Sequence, residues 1–143
     1  MTQPVRRPPP PPAPERDHLK AVRLALFRLH KALIDAERAA FEADVGEQSS
    51  GQFLQALIHE PFFAWLRPFS GLLVRIDEAL ATREPLEPGA AKAFVSEAAA
   101  LVMPADAEDE TAARFAAIRA ADPGVAFLHA ELTRRIGEGP AGG

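Results

Sequence analysis

Four histidines, a carboxylate set in an apolar row and no cysteine at all bound the side-chain chemistry open to this 143-residue chain. On a helical wheel His30 and Glu37 fall between two apolar rows of one long helix, so both point toward protein. His129 lies in an apolar row of a later helix. A buried carboxylate is costly unless it is paired and hydrogen-bonded. Glu37 therefore requires a cation or several donors from another helix, and Arg67, Arg75 and His129 are the candidates. His30 is seven positions away, two turns or about 10 Å along the axis, and need not touch it. The preferred reading of His30, Glu37, Arg67, Arg75 and His129 is a polar network that fixes helix register. The rival is a small-ligand or metal pocket built on His30, Glu37, His59 and His129.

Other chemistry is thinner. The chain has no Gly-rich phosphate loop, no His-x-x-x-His and no nucleophile elbow. Zero cysteines exclude disulfides, thiolate metal sites and Cys nucleophiles. Glu15 and His18 form one Glu-x-x-His, whereas a di-iron carboxylate bundle needs two such motifs and two further glutamates. A carboxylate at a helix start explains Glu15 without a metal. The sequence thus assigns no catalytic residue, no metal ligand and no cofactor.

A net charge of -4 offers no global attraction to nucleic acid or anionic lipid. Arg16, Lys20, Arg23 and Lys31 make a basic stripe on the first helix, but no aromatic interleaves with them for base stacking, and a solvated face is the simpler reading. Arg67, Arg75 and Asp77 interrupt the best apolar run, so no membrane span is expected. Arg6 and Arg7 precede prolines instead of an apolar stretch, unlike a signal peptide. The absence of cysteine fits a reducing cytoplasm.

The elements that must position the polar residues are helices punctuated by proline. Seven of the 14 prolines lie in residues 1–14. This run favours polyproline II and lacks core-forming side chains. It reads as a disordered arm whose Arg6, Pro8, Pro9, Pro11 and Pro12 fit an SH3-ligand spacing only loosely. Residues 15–137 form the helical domain, and 138–143 are a flexible tail. The first helix runs from about Arg16 to Val45 on Leu19, Val22, Leu26, Leu29, Leu33 and Ala40, with Phe27, Ile34 and Phe41 as a second row; Gly46 ends it. Ser49 and Gln52 have capping-box spacing for the second. Residues 53–69 hold Phe53, Phe62, Phe63, Phe69 and the sole Trp, Trp65, and so are the expected hub, with Trp65 and Phe69 largely buried. One helical phase continues to Leu80 through Pro68, which predicts a kinked helix or two short ones over 61–82. Pro88 opens a fourth helix that Pro104 closes. Asp106, Glu108, Asp109 and Glu110 precede a fifth over Thr111–Ala121 as a solvated acidic start. Asp122-Pro123-Gly124 opens a sixth.

Leu29-His30, Asp35-Ala36-Glu37-Arg38, Phe63-Ala64-Trp65-Leu66-Arg67-Pro68, Arg75-Ile76-Asp77-Glu78, and the Asp122-Pro123 turn leading to His129-Ala130 resemble a family of small uncharacterised bacterial all-helical proteins. The likeness covers most of residues 19–136. It implies an all-helical cytoplasmic protein and no particular activity. The sequence therefore predicts an all-α single-domain bundle of five or six helices with a proline-kinked central helix. Its expected role is a non-catalytic interaction or structural module with an unknown protein partner. The alternative is a small-molecule or metal-binding protein, enzymes included, that uses the His/Glu pocket.

Overall fold

In the computed structural model, residues 14–103 and 109–140 are described, and every regular element among them is helical. Helix α1 spans Pro14–Val45, α2 Ser50–His59, α3 Arg67–Ala81, α4 Ala90–Val102, α5 Glu110–Ala121 and α6 Pro123–Glu138. A 3-10 helix, Pro61–Leu66, joins α2 to α3. The expected arm up to residue 13, Pro104, Asp106, Glu108 and the last three residues lie outside the described residues. No described helix is long and apolar enough to cross a membrane.

α1 is the central post. It packs along α6 and also meets α3, α4 and the 3-10 helix. Its inward face is Leu19, Val22, Ala25, Leu26, Leu29 and Leu33, all buried, followed by Glu37. The second row is less buried than its spacing suggests. Ile34 and Phe41 are half-buried, Ala40 is exposed, and Phe27 is 42% exposed beneath the Arg23 guanidinium, 5.1 Å from its ring centroid. α1 starts two residues earlier than expected because Pro14 fits a first helical turn, where its missing N–H is no loss. Gly46, at φ 94°, follows the helix in the left-handed conformation that glycine adopts without strain.

The linkages between helices follow local rules. Ser49 caps α2, and a reciprocal bond from its own N–H to Gln52 completes the capping box. Pro61 opens the 3-10 helix, and Pro68 sits in the first turn of α3. Proline thus divides 61–81 into a tighter and a regular helix instead of kinking a single one, since neither proline removes a needed donor. α4 begins at Ala90, not at Pro88, because Gly89 (φ 81°) makes the turn into it. Asp109 caps α5 by accepting from the Thr111 N–H, and Asp122 caps α6 through Gly124 and Val125.

The aromatic hub forms as expected, with one difference. Phe63 and Phe69 are fully buried and Phe53 nearly so, but Trp65 is only half-buried. Phe41, Phe53 and Phe62 all contact the Phe63 ring, with centroids 5.0–5.6 Å apart. Trp65 stands edge-on to Phe69 at 6.1 Å and tilts against Phe115 at 6.5 Å. Its outer edge faces solvent and its N–H turns inward to a polar partner.

Candidate functional site

Glu37 is the one buried charged residue among those described, with 2% of its surface exposed. It sits where α1, the 3-10 helix and α5 converge. The Trp65 indole Nε1–H donates to its Oε2 at 3.0 Å. Arg114 on α5 grips both oxygens, Nε to Oε2 at 3.0 Å and Nη2 to Oε1 at 2.7 Å. The guanidinium also lies 4.9 Å from the centre of the Phe62 ring. Three charge-assisted hydrogen bonds of this kind satisfy a desolvated carboxylate. They also fix three separate segments at one point.

The partner is therefore an arginine from another helix, but not one of the three candidates. Arg67 donates to the Glu60 carbonyl at 3.0 Å, and Arg75 pairs with Glu97 at 3.0 Å on the surface. The fifth helix offered a cue that the sequence reading passed over. Arg114 immediately precedes Phe115, and Phe115 and Ile118 carry that helix's apolar face. Trp65 carried a second cue, because a buried indole N–H seeks an acceptor.

His129 belongs to a different node. Its Nε2 lies 2.8 Å from the carbonyl of Val102, the last residue of α4, while Arg119 Nη1 approaches the ring nitrogens at 3.3 and 3.4 Å. The tautomer protonated on Nε2 satisfies both contacts, with Nδ1 accepting from Arg119. The imidazole thereby satisfies the carbonyl of the last residue of α4. Phe115 lies edge-on to it at 5.2 Å, and Arg119 stacks 5.0 Å above Phe115. Arg119 Nε is buried without a hydrogen-bond partner among the described residues. Burial pushes the His129 pKa below its usual value and the Arg119 charge adds to this, against the opposing pull of the Val102 carbonyl.

His30 joins neither node. Its ring stacks near-parallel on Phe69, 12° off at 6.1 Å, and burial lowers its pKa as well. His59 is exposed at the end of α2, on the rim of a shallow groove that also includes Phe41, Gln52 and Glu60. His18 caps the far end of α6 through the Arg135 carbonyl at 2.7 Å. The histidines are thus distributed over separate parts of the bundle, and no group of three His, Asp or Glu among the described residues could hold a metal ion.

A ligand-sized cleft lies elsewhere. It has a volume of about 920 Å³ and opens at the end of the bundle where α1 begins and α6 finishes. Leu86, Pro88, Ala91, Val95 and Ile136 supply its apolar wall. Glu15, Arg16, His18, Glu87 and Lys92 stand among them. Arg16 is committed to the Leu80 and Thr82 carbonyls, which anchors the α3–α4 linker over α1. Neither His30, Glu37 nor His129 reaches this cleft.

No protein-family model, no curated protein and no solved structure matches this chain.

Proposed function

We propose that the protein is a non-catalytic helical interaction module and that the cleft at the α1–α4–α6 end is its docking surface. One observation carries this reading. The ligand-sized space is walled by aliphatic and proline side chains with Glu15, Arg16, His18, Glu87 and Lys92 among them, while Glu37, His30 and His129 are engaged with protein groups outside it. A catalytic pocket is expected to combine concavity with converging groups of perturbed pKa. Here His30 and His129, whose pKa values burial lowers, lie outside the cleft. The Glu37–Arg114–Trp65 node, about 30 Å along α1 from the cleft, then serves as a register clamp for α1, the 3-10 helix and α5.

The test is a photo-crosslinking residue at Ser96, on the cleft wall, in the full chain expressed in its native host. The same residue at Leu54, on the exposed face of α2, is the control. The expected result is one protein cross-linked from position 96 and not from position 54. Native mass spectrometry provides the opposing outcome. A bound small molecule on the purified protein, with no protein cross-link, would replace this reading with the small-molecule one.

A further inference from the structure

The cleft lies where the proline-rich segment joins the helices. Pro14 begins α1, and Glu15, Arg16 and His18 in the next turn belong to the cleft wall. We propose that the chain's own residues 1–13 supply the cleft's occupant, with the proline run from Pro8 to Pro12 against the aliphatic wall. This rests on the docking-surface reading above and names the chemistry of the ligand as a proline-rich, cationic peptide.

Three properties favour this occupant. Proline has no backbone N–H, so such a run can lie on Leu86, Pro88, Val95 and Ile136 without burying an unsatisfied donor. It is also largely pre-organised and loses little conformational freedom on docking. Charge permits it as well. Arg6 and Arg7 precede the prolines and can pair with Glu15 and Glu87, which stand in the cleft beside Lys92 and an Arg16 already held by the Leu80 and Thr82 carbonyls. Lys92 and Ser96 supply donors for proline carbonyls.

Reach is not limiting. Five residues of polyproline II span about 15 Å, and the whole segment about 40 Å. The wall lacks the aromatic rings that usually grip such peptides, so affinity in trans should be weak. Tethering compensates, because a short connection holds the segment at an effective concentration in the millimolar range. An outside partner would then have to displace the arm, or present a longer proline-rich segment of its own.

The absence of cysteine allows a clean test. A nitroxide attached to Val5→Cys in the full chain should broaden the amide signals of Leu86, Ala91, Val95 and Ile136. They should lose at least half their intensity relative to the reduced label. Leu54 and Ile58 should keep theirs. Adding Ser96→Trp, which fills the cleft from an exposed position, should restore the cleft signals. Broadening that is uniform, or unchanged by Ser96→Trp, overturns the proposal. Broadening seen only when spin-labelled and isotope-labelled chains are mixed assigns the cleft to a second copy's arm and overturns it too. Failure here leaves the cross-link from Ser96 to decide the broader reading.

Discussion

Arg114 reaches across 77 positions of sequence to hold Glu37 with two hydrogen bonds, but the two side chains differ in depth: 42% of the arginine's is exposed and 2% of the glutamate's. The pair is asymmetric in what each partner leaves behind. Arg114→Ala strands a carboxylate in the core, with only the Trp65 N–H to satisfy it. Glu37→Gln leaves a guanidinium that water can reach and an amide that still accepts from Trp65. Arg114→Ala should therefore cost about 3–5 kcal/mol, and Glu37→Gln about 1–2 kcal/mol. Urea melts of both variants measure this, and equal or reversed losses would remove the asymmetric-clamp account.

Trp65 contributes both surface and a donor. Trp65→Phe keeps most of the ring contact with Phe69 and Phe115 and deletes the bond to Glu37, a loss of about 1–2 kcal/mol. Trp65→Ala also opens a cavity and should cost about 3–5 kcal/mol. An alanine variant within 1 kcal/mol of the parent would mean that the half-exposed indole is a binding surface and not part of the core.

Stability should fall on acidification through the histidine range. His30 and His129 both have pKa values lowered in the folded state, chiefly by burial. The unfolded chain then binds more protons between those lowered values and about 6.5, so stability rises with pH across that window. It is fully present above about pH 6.5 and declines as pH falls toward the folded values. His129 faces Arg119 on α5 and the Val102 carbonyl on α4, so its imidazolium would meet a like charge as well as an acceptor. The double variant His30→Gln, His129→Gln should flatten the profile between pH 7.5 and 5. A parent protein equally stable at both ends of that range would count against neutral imidazoles in the folded state.

Divalent metal should leave the melting temperature unchanged, because the neighbours of the half-buried His30 and His129 imidazoles are Phe69, Phe115 and Arg119. A ligand that binds only the folded state would raise it. A reproducible rise of several degrees with Zn²⁺, lost in His30→Ala, would revive the metal-pocket reading.

The sequence disclosed the helices better than their contacts. The six-helix order, the Ser49–Gln52 capping box, the Asp122 cap and the burial of Glu37 were all legible, because each rests on local spacing or on a periodicity of 3.6. The identity of Glu37's partner was not. Arg67, Arg75 and Arg114 are alike in type, and only the placing of α5 against the 3-10 helix selects among them. The cleft was invisible for a related reason. Its wall is assembled from the first turns of α1, the α3–α4 linker, α4 and the end of α6. No window of sequence contains more than part of it. Phe27 and Ala40 mark the opposite error, since apolar residues at helical spacing can still face solvent, as Phe27 does beneath Arg23 while its neighbours Leu26 and Leu29 are buried.

The pairing of α1 with α6 has a kinetic consequence. His18 and the Arg135 carbonyl are 117 residues apart. Individual helices form in under a microsecond or so, whereas joining such distant segments requires the largest loop closure in the bundle. The slow step in refolding is then the arrival of α6 along α1, not the winding of any helix, and folding will be slower than in bundles whose neighbours are consecutive. Until it arrives, the face of α1 that α6 covers remains an open seam, which makes chaperone capture and self-association hazards of the folding interval and not of the finished protein.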